Sequence, residues 1–141
     1  MELLWSSTVL SKTETKNLVE SRINNISMPY ILNLKGDLGV GKTYISSCIA
    51  KKYGFDNLVS SSYSKMSVLE DPIKKIIHVD YFNIQNDESF FFDNIYEIID
   101  SNTILLQEWS KTYIDIDIIQ LSLEIINCSL EKRKINLYSS R

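Results

Sequence analysis

Glycine is scarce in this chain, with four in 141 residues, and proline is scarcer, with two. The two cysteines, Cys48 and Cys128, stand far apart and in no metal-binding spacing. That excludes a disulfide framework and a cysteine zinc site, and it suits a reducing compartment. No apolar run approaches the length of a bilayer span. The first residues, MELLWSSTVLSK, lack both a basic start and a long apolar stretch, so no signal peptide is expected. The expected location is the cytoplasm, with no membrane partner. There is no basic excess either: the formal net charge is −3, with a pI near 5.2. A chain that holds nucleic acid as its main contact usually carries a positive surplus. The one dense basic run, Lys132-Arg133-Lys134, reads as a solvated hairpin. Arginine occurs only at 22, 133 and 141, which leaves none between residues 23 and 132. What remains is a globular composition, 44% hydrophobic and 23% charged, expected to form a single domain over residues 1–141.

Against that scarcity, residues 36–44 read GDLGVGKTY and hold three of the four glycines. The spacing of Gly36, Gly41, Lys42 and Thr43 is the phosphate-binding loop pattern G-x-x-x-x-G-K-[ST]. Phosphate oxygens need N–H donors converging from a tight curve, and side chains would block the approach. The backbone of Gly36, Asp37, Leu38, Gly39, Val40 and Gly41, continuing into Lys42, Thr43 and Tyr44, is therefore the candidate nucleotide cradle. Lys42 would place its ammonium on the terminal phosphates, and the Thr43 hydroxyl would ligate Mg²⁺. A helix opening near Lys42 would add its positive end. The competing reading is an accidental match in a glycine turn. Context argues against it: PYILNLK (29–35) supplies a buried strand before the loop. TYISSCIAKKYG supplies a helix after it, with Ile45, Cys48, Ile49 and Tyr53 at helical spacing and Gly54 to end it.

Elsewhere the pattern alternates. LLWSSTVL (3–10) reads as a first strand, and Ser11 to Glu14 as a capping box for a helix to about Asn24. Residues 57–70 mix short apolar pieces with a serine cluster. KKIIHVDYF (74–82) reads as a strand, ESFFFDNIYEIID (88–100) as a helix, and NTILLQEW (102–109) as a buried strand. DIIQLSLEII (117–126) alternates with Ile119, Leu121, Leu123 and Ile125 on one face, and KINLYSS (134–140) can pair with it. The expectation is a three-layer α/β fold of the P-loop NTPase type, its sheet mostly parallel with antiparallel strands added near the C-terminus.

A phosphate loop needs an acid for Mg²⁺ and a group that orients water. Ligands of open α/β sheets collect at the C-terminal ends of parallel strands. Two acids qualify there, Asp80 after Ile76-Ile77-His78-Val79 and Glu108 after Ile104-Leu105-Leu106-Gln107. A solvent-facing strand-end carboxylate is the ordinary alternative for each. His78, the only histidine, reads as a hydrogen-bonded core residue before it reads as a catalyst.

GDLGVGKT, the cluster SSSYS, HVDYF and LLQEWS together resemble the bacterial TsaE family, also called YjeE, in order and spacing over nearly the whole chain. These are small P-loop ATPases of tRNA threonylcarbamoyladenosine synthesis. The resemblance implies ATP and Mg²⁺ as cofactors. It implies as partners a TsaD-like threonylcarbamoyl transferase and a TsaB-like subunit, with tRNA met only indirectly. Carried over by position, Lys42 contacts phosphates, Thr43 and Glu108 hold Mg²⁺, Asp80 lies beside the γ-phosphate to orient water, and Trp109 lies close to the site. The chain also departs from the pattern. Tyr44 replaces a second threonine, Ser60-Ser61-Ser62 replaces S-P-T, and Asp80-Tyr81-Phe82-Asn83 replaces D-x-Y-R.

Other classes are weaker. No N-K-x-D guanine motif occurs, and the arginine shortage argues against a small-molecule kinase, whose lid clamps phosphates with arginines. A nucleotide-gated interaction module with negligible hydrolysis, and a degenerate structural subunit, are the non-enzymatic alternatives.

Overall fold

The structure, a computed structural model, describes residues 1–56, 58 and 65–139. The elements run β1 (Glu2–Val9), α1 (Lys12–Arg22), β2 (Tyr30–Lys35), α2 (Lys42–Lys52), β3 (Met66–Glu70), β4 (Lys75–Asp80), α3 (Asp87–Asn94), a 3₁₀ turn (Tyr96–Ile98), β5 (Thr103–Glu108), β6 (Ile119–Asn127) and β7 (Arg133–Ser139). All seven strands form one sheet in the order β1-β7-β6-β2-β5-β4-β3. The central block β6-β2-β5-β4 is parallel. Antiparallel strands flank it on both sides: β7 and then β1 beyond β6, and β3 beyond β4. The parallel block and the C-terminal β6–β7 hairpin are as the sequence leads one to expect. The added strand β3 at the opposite edge is not, because its five residues alternate weakly beside the serine cluster.

Side chains alternate across the sheet, and each face has its own core. Tyr30, Leu32 and Leu34 of β2, Ile104 and Leu106 of β5, and Ile76 of β4 pack with Val19 and Ile23 of α1 and Ile45 and Ile49 of α2. Ile31, Leu105, Ile77 and Val79 point the other way, onto Phe91 and Ile95. Helices thus cover both faces, giving three layers. The parallel strands are buried on both sides, which is why β2 and β5 carry consecutive apolar residues, Tyr30-Ile31-Leu32 and Ile104-Leu105-Leu106.

Local signals set the helix ends. Ser11 caps α1, its Oγ accepting from the Glu14 N–H at 3.1 Å, and Thr15 donates back to the Ser11 carbonyl. Asn86 caps α3 by accepting from the Ser89 N–H at 2.9 Å. The helix expected over 88–100 stops at Asn94 and tightens into the 3₁₀ turn. The β-branched Ile95, Ile98 and Ile99 favour helix poorly, and the chain must turn back within a few residues to enter β5. Ile119, grouped with Leu121, Leu123 and Ile125 on one face of β6, stands at its first position and is 48% exposed, beyond the packed layer.

Phe91 is fully buried at the centre of the second core, edge-on to Phe92 and tilted against Tyr96. Phe91→Ala should destabilise the fold by about 3–5 kcal/mol through lost transfer energy and a residual cavity. Urea unfolding monitored by circular dichroism measures this, with a lowered midpoint at an unchanged slope.

Candidate functional site

The period of two along a strand determines which side chains meet. Glu108 and Leu106 of β5, and His78 and Ile76 of β4, share the sheet face that α1 and α2 cover. β4 and β5 are in register, with His78 beside Leu106 and Asp80 beside Glu108. The strand ends therefore deliver two acids and the histidine to the edge where α2 begins.

Between β2 and α2 the chain makes the glycine loop. Gly36 has φ +151°, and a Cβ there would stand 2.7 Å from both the Ile125 carbonyl oxygen and Val40 Cγ1. The loop presses against β6 so closely that only glycine fits. Gly41 is the N-cap of α2 in a left-handed conformation, φ 115°, with no side-chain cap. The first-turn N–H groups of α2 are left for an anion, at the positive end of the helix. Val40 anchors the loop in the core, whereas the Leu38 side chain is 86% exposed. Leu38 can thus offer a ligand only its backbone.

Lys42, the first residue of α2, folds its ammonium back over the loop, donating to the Gly36 carbonyl at 2.5 Å and lying 3.6 Å from the centre of the Trp109 ring. Burial lowers its pKa, and the nearby carboxylates of Glu108, Asp80 and Asp37 oppose the shift. Thr43, one residue on, donates its hydroxyl to Glu108 at 3.2 Å. Glu108 is 4% exposed. Its Oε2 also lies 2.5 Å from His78 Nε2. Asp80 turns its Oδ1 to the Phe82 N–H at 2.9 Å, closing a turn at the end of β4. Trp109 adopts φ 60°, a left-handed backbone that costs an L-residue about 1–3 kcal/mol. Its ring is held between Lys42 and the edge of Phe82, 5.2 Å away.

Two cavities flank the loop. One, of about 270 Å³, is lined by Asn33, Gly36, Lys42, Phe82, Trp109 and Lys111. Lys111 is tied down there by donating to the carbonyls of Tyr81 and Ile84, each at 3.2 Å. The other, of about 380 Å³ and mainly apolar, lies on the far side of the loop. Ser11, Lys12 and Tyr44 form one of its walls, and Leu130 and Arg133 of the β6–β7 turn another. Tyr44 is locked into that wall by donating its hydroxyl to the Lys12 carbonyl at 3.1 Å. Arg133 does not wave in solvent. It donates to the Ser129 and Leu130 carbonyls at 3.3 and 3.4 Å, stiffening the turn. Leu10, Ser11, Lys12, Leu130 and Arg133 were beyond the reach of motif reasoning, since the sheet order alone brings them to the loop.

The structure brings together Gly36, Asp37, Gly39, Val40, Gly41, Lys42, Thr43, Glu108 and Trp109, with Asp80 one strand over and Tyr44 in the neighbouring wall. The serine cluster at 60–64 lies outside the described residues. No group of three metal-binding side chains occurs among the described residues. The Thr43–Glu108 pair is nevertheless the kind of oxygen donor set Mg²⁺ takes, since that ion usually keeps waters and phosphate oxygens beside one or two protein ligands. No described helix is long and apolar enough to cross a membrane.

Comparison with known proteins follows the same lines. Residues 9–135 match the family described as threonylcarbamoyl adenosine biosynthesis protein TsaE. The tRNA threonylcarbamoyladenosine biosynthesis protein TsaE of Rickettsia prowazekii is 30% identical over 135 residues, covering 89% of this chain and 93% of the relative. The protein of the same name from Aquifex aeolicus is 29% identical over 141 residues, covering 98% of each. Among solved structures, Bacillus subtilis YdiB superposes with a TM-score of 0.70 over 100% of this chain and 89% of its own, at 19% identity, a likeness of fold.

Two outcomes are expected at the loop. Gly36→Ala should abolish phosphate-ligand binding and lower stability, because backbone and core would both have to move; a fluorescent nucleotide and a thermal melt read the two effects. Only the charged Lys42 attracts phosphate, and its pKa is lowered. Nucleotide affinity should therefore hold below that lowered value and fall as pH rises through it, earlier than for an ordinary lysine at about 10.4. In Lys42→Arg the alkaline decline should vanish.

Proposed function

The chain belongs to the TsaE family of threonylcarbamoyl adenosine biosynthesis, and we propose that it serves tRNA modification as a Mg²⁺-dependent ATPase. The observation that supports this best is the convergence of Lys42, Thr43 and Glu108 at one sheet edge, before an uncapped helix N-terminus.

The loop backbone and the start of α2 would take the phosphates. Lys42 would leave the Gly36 carbonyl and the Trp109 face for their oxygens, which offer full charges where it now has a dipole and a ring. Base and ribose would enter the apolar cavity beside Tyr44 and Arg133, a volume suited to that payload. Thr43 and Glu108 would hold magnesium, which neutralises phosphate charge as it develops. Asp80, at the end of β4, would orient the attacking water once its carboxylate swings from the Phe82 N–H. Trp109 and Phe82 would wall the phosphate end from solvent, and water exclusion strengthens every charge contact inside.

In this reading the rate is low for the protein alone. A cis arginine on the phosphates is worth about 10³–10⁵ in rate in other ATP and GTP hydrolases. The stretch from 23 to 132 contains no arginine, and Lys111 is engaged with backbone carbonyls. A TsaD-like transferase and a TsaB-like subunit would raise the rate by ordering the site. The acidic chain would meet tRNA only through them, in the cytoplasm where tRNA is modified.

The test is ATP hydrolysis with Mg²⁺, run alone and with TsaD and TsaB. Slow turnover should rise with the partners. It should fall by about 10²-fold or more in Glu108→Ala with nucleotide still bound, and vanish in Lys42→Ala. Binding without turnover under all conditions would make the protein a nucleotide-gated module. Phosphate transfer to an added acceptor would make it a kinase.

A further inference from the structure

We infer that His78 is a positioning residue that fixes the Glu108 carboxylate for the cation, an inference that rests on reading Thr43 and Glu108 as the magnesium pair. His78 is 1% exposed in the middle of β4. Its Nε2 lies 2.5 Å from Glu108 Oε2. Two bare acceptors cannot sit that close, and an ionised carboxylate has no proton to give. The ring therefore carries its proton on Nε2 and donates it to Glu108. The other ring nitrogen, Nδ1, is buried with no hydrogen-bond partner.

That asymmetry separates this role from core filling. A side chain kept only for volume would do better without an unsatisfied nitrogen, since burying an unpaired polar atom is costly. The polar contact that offsets the cost is with Glu108. Glutamate has three rotatable bonds, and among the described residues two side chains hydrogen-bond this one: His78 and Thr43. The Thr43 hydroxyl can turn about its own C–O bond as it offers a lone pair to a cation. The buried ring of His78 has no such freedom. Its bond holds Oε2 and leaves Oε1, 3.4 Å from the Thr43 hydroxyl, for the cation. Ligands oriented in this way by a second residue commonly lose about 10–100-fold in metal affinity when that residue is removed.

The experiment measures affinity for a fluorescent nucleotide with magnesium and with EDTA, and Mn²⁺ binding by electron paramagnetic resonance, in wild type, His78→Leu, His78→Gln and His78→Asn. Glutamine carries its amide nitrogen about as far from the backbone as Nε2 does, whereas asparagine stops one bond short. His78→Leu and His78→Asn should lose the magnesium-dependent gain by about 10-fold or more, with EDTA affinity unchanged. His78→Gln should recover most of it. If His78→Leu keeps the full gain, or if His78→Gln falls as far as His78→Leu, the role is overturned. Wild-type protein labelled with ¹⁵N-histidine gives a check that needs no variant. The Nε2 proton should be slow to exchange and should shift when magnesium nucleotide is added, and a ring protonated on Nδ1 alone would overturn the assignment. A wild type whose nucleotide affinity ignores magnesium would defeat the ATPase reading itself. A magnesium effect that survives in His78→Leu defeats only the role of His78.

Discussion

Glu108 carries a carboxylate that is 4% exposed at the end of β5. A charge withdrawn from water has to be compensated by donors. The donors come from two other elements, Thr43 on α2 and His78 on β4. Three segments that are distant in sequence are thereby tied to one atom group. The β4–β5 register and the entry of α2 are both compatible with satisfying that carboxylate, which ties them at one point. The loop cannot drift from the sheet edge while Thr43 reaches across, and Lys42 cannot leave the vicinity of Trp109 without an anion to receive it.

The opposite face of the sheet is polar in a different way. Gln107 points there and donates to Asn33 at 2.7 Å while accepting from the Tyr81 hydroxyl at 2.6 Å. These neutral groups form a hydrogen-bonded chain that runs from Tyr81 through Gln107 to Asn33. Such a chain fixes strand register without carrying charge. The first face thus holds the buried carboxylate and its partners, and the second a neutral polar frame. Tyr81 links the two, because its backbone N–H donates to the Glu108 carbonyl at 3.0 Å while its ring lies in the second core.

Much of this was legible in the sequence because the signals are local. The strand read at 30–35, the loop glycines and the helix to Lys52 depend on neighbours within a few residues. The approach of the two strand-end acids to the loop follows from strand ends meeting in a parallel sheet. The illegible parts depend on topology. The weak strand β3 has too few residues for alternation to stand out beside the serine cluster. The cavity wall made by Leu10, Lys12 and Arg133 has no motif, because only the β1-β7-β6 order brings the two ends of the chain together. His78 reads as a hydrogen-bonded strand residue, and it is one. Its partner lies 30 residues away, at a spacing that no rule marks.

That same strand order has a consequence for assembly in time. Among the described residues β1 pairs with β7 alone, so a strand made before β2 must wait for one made after β6 before its backbone is satisfied. The phosphate loop and its flanking β2 and α2 are also made early, yet β2 lies between β5 and β6 and Gly36 packs on Ile125, so they too wait for later strands. Closing a loop that spans nearly the whole chain is entropically slow. The glycine loop and the far wall of the adjoining cavity are therefore completed together, once β6 and β7 are in place.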